Sequence, residues 1–150
     1  SILGSSKADK VFQNMSIFTK DNVARITLKD RSFKEVCEDF LNKKILKDNF
    51  RIVKGKEFLS LIINKKDLKK KLDLFRLADI LSVNDNLSEI RLHFPADFTK
   101  VKGVISRITS ELATRDINIF ETIISMPDIL VYVEEKNLVE AHHALREIKK

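Results

Sequence analysis

The stretch Asp85-Asn86-Leu87-Ser88-Glu89-Ile90-Arg91-Leu92-His93-Phe94 returns in pattern at Asp21-Asn22-Val23-Ala24-Arg25-Ile26-Thr27-Leu28, an offset of about 64 residues. In the later copy Ile90, Leu92 and Phe94 alternate with Arg91 and His93; in the earlier one Ala24, Ile26 and Leu28 alternate with Arg25 and Thr27. A period of two is what a strand with one buried face requires. The Asp-Asn pairs carry turn chemistry, so each copy is expected to open with a half-buried strand entered through a tight turn.

Downstream the two copies stay in step. Phe33, Val36, Cys37, Phe40 and Leu41 fall at i, i+3, i+4, i+7 and i+8, with Ser32 and Glu35 spaced as a capping box. Their counterpart runs from Val101 to Arg115, with Val104, Ile105, Ile108 and Leu112 as its apolar stripe. Two strand-like runs follow in each copy, 49–54 then 58–63, against 117–125 then 129–133. A second helix closes each copy through Leu68, Leu72 and Phe75, and through Leu138, Ala141, Leu145 and Ile148, the latter capped by Asn137.

Strand, helix, strand, strand, helix plus one hairpin strand is the inventory of a βαββαβ unit. The expected fold class is therefore α+β: two tandem ferredoxin-like units with antiparallel sheets and helices on one face. The expected boundaries are an N-terminal extension over 1–14, a divergent first domain over 15–79 and a second over 80–150. Within the extension, 5–14 suits a short helix through Val11 and Phe12. No strand follows the last helix, so the second sheet must draw its fourth strand from elsewhere, and 15–20 is the evident donor. Two closures fit. Residues 15–20 can pair with 23–28 as a hairpin while 80–84 completes the second sheet, or the two domains exchange these strands.

Composition narrows the function classes. The 150 residues are 43% apolar and 33% charged with 3 Gly and 2 Pro, the balance of a folded domain and wrong for disorder. No apolar run approaches a membrane span, and the opening residues lack a signal peptide's apolar core, so a cytoplasmic protein is expected. One cysteine, Cys37, cannot form an internal disulfide and belongs to an apolar stripe. No phosphate-cradling glycine loop, activated nucleophile or metal-ligand spacing is present, so no catalytic residue, metal or cofactor is expected. His142 and His143 point about 100° apart on their helix and cannot chelate one ion together. His93 sits on a sheet surface or a subunit interface.

Net charge is +6, and the excess lies in residues 1–86, with 19 basic and 12 acidic side chains. The run Lys65-Lys66-Asp67-Leu68-Lys69-Lys70-Lys71 reads as a solvated helix face with Leu68 and Leu72 beneath it, or as a phosphate-backbone footprint. Against RNA stands the scarcity of aromatic residues on the central strands, where only Phe50 and Phe58 are available.

Between 81 and 148 the pattern becomes specific. Asp85 to Ile90, Gly103-Val104-Ile105-Ser106-Arg107-Ile108, Ile117-Asn118-Ile119, Ile124 to Ile129 and Leu138 to Leu145 together resemble an ACT domain, most closely the tandem ACT regulatory region of aspartate kinases. Residues 16–76 look like the partner copy, more weakly. The resemblance implies a regulatory module that catalyses nothing, binds a small molecule, usually an amino acid, between ACT copies, and forms a homo-oligomer, with a dimer the simplest case. A kinase domain does not fit in 150 residues, so the expectation is a free-standing sensor acting on a regulated enzyme or other regulator.

The resemblance also places a ligand site in the second copy. Gly103 without a side chain admits a carboxylate to the N–H groups of Gly103 and Val104 at a helix start. Asn118, followed by Ile119, offers a donor and an acceptor, and Asp97 takes the ammonium. Lys102 stands where the family commonly has proline. Each has a plainer reading: Gly103 and Asp97 as turn residues, Asn118 as a partner for loop backbone. The first copy has Arg31-Ser32-Phe33 with no glycine, and its Asp48-Asn49-Phe50 only loosely echoes Ile117-Asn118-Ile119, so its site is expected to be lost. The alternative function is a basic nucleic-acid-binding or protein-interaction scaffold of the same fold, without a small-molecule ligand.

Overall fold

A computed structural model describes residues 2–42 and 50–149, with side chains described outside 2–6 and 40–42. The expected echo at Asp48-Asn49, the start of the 49–54 strand and the side chains of Phe40 and Leu41 lie outside the described residues. The elements in chain order are helix α1 (Ile2–Gln13), strand β1 (Ser16–Lys29), α2 (Phe33–Asn42), β2 (Arg51–Lys54), β3 (Phe58–Asn64), α3 (Leu68–Leu72), β4 (Ile80–His93), α4 (Val104–Thr114), β5 (Glu121–Ser125), β6 (Asp128–Glu134) and α5 (Leu138–Ile148). The strand order is β2-β3-β1-β4-β6-β5.

The chain divides into two compact units that cut across the linear boundaries 15–79 and 80–150. An internal unit holds Asn22–Leu87, and a terminal unit combines Ser1–Asp21 with Ser88–Lys150. The reason is that β1 and β4 are single strands of 14 residues each. No tight turn forms at Asp21-Asn22 or Asp85-Asn86, which corrects the sequence expectation. Asn22 does take a left-handed φ of 57°, but the strand runs on through it. An Asp-Asn pair permits that conformation without demanding a reversal, and strand pairing on both sides decides the path.

Within the internal unit the order is β2, β3, the second half of β1, then the first half of β4. β1 pairs antiparallel with β3 from Val23↔Asn64 to Lys29↔Phe58, and Arg25 Nη2 donates to Asn84 Oδ1 at 3.1 Å. Within the terminal unit the order is β5, β6, the second half of β4, then the first half of β1. There Ser88 Oγ donates to Asp21 Oδ1 at 3.1 Å. Each unit therefore has the 2-3-1-4 strand order of a ferredoxin-like βαββαβ fold, and each takes its fourth strand from the chain that supplies the other's first. Of the two closures the sequence allowed, the structure adopts the exchange.

The cores follow the period-two and period-3.6 patterns. Ala24, Ile26, Leu28, Val36, Leu59, Leu61 and Ile63 are buried in the internal unit, with Leu68 and Leu72 packed against them. Ile90, Leu92, Phe94, Val104, Ile108, Leu112, Ile129, Val131, Val133, Ala141 and Leu145 are buried in the terminal unit. Helix α1 is no loose extension. It spans Ile2–Gln13, longer than the expected 5–14, and buries Ala8 and Phe12 in the terminal core.

Three local expectations change. Lys71 belongs to the lysine run read as a solvated face or a phosphate footprint, yet it is buried, with its Nζ donating to Asp39 Oδ2 at 2.6 Å. The burial pattern of 61–73 matches that of 131–143, and Lys71 holds the place Ala141 holds in the other unit. A long side chain there has to find a carboxylate within the core, and Asp39 on α2 supplies it. Asn137 occupies the N-cap position before α5 but makes no side-chain capping bond. Cys37 is partly exposed, while its neighbour Val36 fills the core position.

Candidate functional site

The expected ligand residues belong to the terminal unit. After β4 the chain runs through an irregular loop, 94–103, before α4 begins. Two aromatic side chains root the loop. Phe94 and Phe98 are buried, with ring centroids 4.7 Å apart, and Phe12 of α1 meets Phe94 edge-on at 6.1 Å. The Phe94 N–H donates to Pro127 O at 3.0 Å. The loop is thus held from below by core contacts and leaves its polar residues outside.

Asp97 is one of those. Its Oδ1 accepts from the Thr99 hydroxyl at 2.5 Å and the Thr99 N–H at 2.8 Å. Those two bonds, the hydroxyl first, hold the Asp97 carboxyl below its ordinary value, with Lys100 adding a smaller pull in the same direction. The group is ionised at neutral pH and exposed. Replacing Thr99 with alanine is expected to raise the Asp97 pKa toward the ordinary carboxylate range, read from the carboxyl resonance in a pH titration by NMR; an unmoved titration would remove the hydroxyl as the cause.

Gly103 is the N-cap of α4, in the left-handed region at φ 87°, and its carbonyl accepts the Arg107 N–H at 3.0 Å. A Cβ built there meets no atom within 4 Å, so backbone conformation, not crowding, calls for glycine. The same openness leaves the start of α4 accessible. Val104 buries its side chain in the core, and Lys102 is exposed beside Gly103.

Asn118 and Ile119 lie at the other end of α4, past the left-handed Asp116. α4 has 11 residues, which separates the two ends by about 16 Å at 1.5 Å per residue. Asp97, Lys102, Gly103 and Val104 are therefore gathered at one end of the unit, and Asn118 and Ile119, exposed and half-buried respectively, at the opposite end. A free amino acid cannot reach both within one unit.

Sequence reasoning missed what α1 does at the loop. A cleft of about 180 Å³ opens between them, lined by Lys10, Val11, Asn14, Phe94, Pro95 and Ala96. Arg107 of α4 pairs closely with Asp9 and lies 5.2 Å from the Phe12 ring centre, fastening α1 beside the loop. The only sequence signal was the Val11-Phe12 pair. His93 is half-exposed on the sheet surface, its Nδ1 2.8 Å from Asp128 Oδ1, an acidic partner the strand pattern did not disclose. Among the described residues no cluster of three metal-ligating side chains occurs, and no described helix is long and apolar enough to cross a membrane.

No protein-family model matches the sequence, and no curated protein matches it significantly. Solved structures do match the fold. The aspartokinase alpha and beta subunits align with a TM-score of 0.73 at 19% identity, covering 89% of this chain and 96% of that one. The regulatory subunit of aspartate kinase from Thermus thermophilus aligns with a TM-score of 0.71 at 14% identity, covering 90% and 98%. The aspartate kinase of Clostridium acetobutylicum aligns at 0.72 and 19% identity over 90% of this chain, but the match occupies 34% of that longer chain. The chain shares its fold with these aspartate kinase structures, as two ferredoxin-like βαββαβ units.

Proposed function

We propose that this chain is a non-catalytic regulatory module that binds an amino acid through the terminal unit and passes its occupancy to a regulated enzyme or other regulator. The observation that carries the reading is coverage: the fold accounts for 98% of a regulatory subunit of aspartate kinase and for 34% of a longer aspartate kinase chain. The Clostridium enzyme is described as allosteric.

The ligand chemistry follows from the two ends of α4. At one end the open N-terminus of the helix, with the N–H groups of Gly103 and Val104 and the nearby Lys102, suits a carboxylate. Asp97, ionised, suits an ammonium. At the other end Asn118 can both donate and accept, and Ile119 offers an apolar contact. Because the ends stand about 16 Å apart, a ligand touching both is held between two copies, the loop of one facing Asn118 of another. Occupancy then favours one pairing of copies over the alternatives, and that differential affinity is what a switch needs. The module is expected to work in the cytoplasm, where free amino acids are abundant.

Thermal unfolding against each of the twenty amino acids at millimolar concentration tests this. A native-state ligand raises the midpoint by mass action, and the shift is expected with one or a few amino acids and to shrink or vanish in Asn118→Ala. A midpoint unmoved by all twenty would defeat the reading.

The second reading, a nucleic-acid scaffold, rests on the basic excess. That excess lies in the internal unit, with 16 basic and 10 acidic residues over 22–87. Burial of Lys71 against Asp39 removes one member of the lysine run from any phosphate-facing surface.

A further inference from the structure

The two groups proposed to hold the ends of an amino acid, the Asp97 carboxylate and the start of α4, are each one step from helix α1. Asp97 precedes Phe98, whose buried ring lies 4.7 Å from Phe94, and Phe94 meets Phe12 of α1 edge-on at 6.1 Å. On the other side the Gly103 carbonyl accepts the Arg107 N–H at 3.0 Å. The Arg107 side chain pairs with Asp9 of α1 and lies 5.2 Å from the Phe12 ring centre. Both connections run within the terminal unit.

Between these two anchors the loop has few bonds of its own. The Thr99 N–H donates to Asp97 Oδ1 at 2.8 Å, and the Val101 N–H to Phe98 O at 3.0 Å. Both bonds start from the residue pair that the Phe98 ring roots in the core.

Helix α1 is lightly held. Among its described side chains, 7–13, Ala8 and Phe12 are buried and Val11 is half-buried, while Lys7, Asp9, Lys10 and Gln13 are exposed. A helix of 12 residues is marginal by itself in water, so tertiary packing is what keeps it formed, and Phe12 supplies the largest share. An element of this kind opens at a lower cost than the sheet beneath it. A core contact alone would tie α1 to one end of the loop. Asp9 adds the other, so undocking of α1 removes a support from each end at once, and an ordered loop in turn favours the docked helix.

We infer that α1 is a strap whose docking is coupled to the order of the 97–104 loop: a ligand held by this loop tightens α1, and release of α1 weakens the ligand. Such coupling is reciprocal. The part that concerns a ligand rests on the amino-acid reading above, whereas the coupling of helix to loop does not.

Hydrogen exchange on the full chain tests the two parts separately. Without ligand, Phe12→Ala is expected to speed exchange of the α1 amides and, with them, of the Thr99, Val101 and Arg107 amides by about 5- to 150-fold, the span of an ordinary coupling, while β6 keeps its protection. Asp9→Asn leaves the core intact and should speed the same two groups together by up to about fivefold, the worth of an exposed ion pair. Faster exchange in α1 with the loop amides unchanged would overturn the coupling. So would a loss of protection in β6 as large as in the loop, the mark of global unfolding. An amino acid that raises the unfolding midpoint should also slow exchange over 8–13 with the same concentration dependence, and Phe12→Ala should weaken it at least about fivefold. An amino acid that binds yet leaves 8–13 unchanged would overturn the strap's response to ligand. If none of the twenty binds, the sensor reading fails and the ligand-free comparison alone decides the coupling.

Discussion

Lys71→Met is expected to lower the stability of the internal unit by about 3–5 kcal/mol, the usual penalty for leaving a buried charge without its partner. Both side chains of the Lys71–Asp39 pair are almost wholly buried, at 6% and 3% exposure, so water cannot replace the lost ammonium. A surface ion pair would be worth about 1 kcal/mol at most, and burial makes the difference. The double variant Asp39→Leu with Lys71→Met removes both charges and is expected to recover most of the loss, because an apolar pair of similar volume often equals a buried ion pair. Urea unfolding reads both. A single variant within about 1 kcal/mol of the parent would mean that the pair is solvated and the internal core is not closed at this point.

Phe94→Ala is expected to cost about 3–5 kcal/mol, the sum of lost apolar transfer and the cavity left behind. Phe94 is 1% exposed and joins three parts of the terminal unit: the end of β4, the loop through Phe98 and helix α1 through Phe12. Such a loss is a large part of the 5–15 kcal/mol typical of a whole domain. Phe12→Ala separates the roles. It should release α1, seen as faster amide exchange over residues 8–13, while β4 and β6 keep their protection. Urea unfolding together with hydrogen exchange checks both variants. An unchanged midpoint in Phe94→Ala would show that the loop is not anchored through this ring.

The period-two runs at 24–28 and 90–94 and the period-3.6 stripes at 104–112 and 138–148 announced most of the fold, because burial of one face is written directly into residue order. The repeat supplied the rest of the inventory. What sequence could not decide was the path at Asp21-Asn22 and Asp85-Asn86: a turn and a continuous strand use the same local chemistry there, and only the partners on either side distinguish them. Lys71 was misread for a related reason. Its neighbours Lys66, Lys69 and Lys70 are ordinary surface residues, and the one clue, Asp39, lies 32 positions away on another helix.

The candidate site was legible as a set of residue types and illegible as a geometry. Gly103 before an apolar helical stripe points to a helix start, and the structure adds that its φ of 87° alone accounts for glycine. Asn118 was grouped with Gly103 by pattern, yet an intervening helix of 11 residues puts them at opposite ends. That separation suits the proposed site between two copies, the arrangement the family resemblance implies. For α1 the sequence offered only the Val11-Phe12 pair, enough to suggest a short helix but too few apolar residues to show that it packs beside the loop.

The central claim is an amino-acid site assembled from both ends of α4, and amide NMR spectra recorded during titration with each of the twenty amino acids test it most directly. The account predicts that one or a few of them move the amides of 97–104 and of 118–119 together, along one saturation curve with a single Kd. Spectra in which no amino acid moves either group, or in which the two groups respond with different affinities, would contradict it.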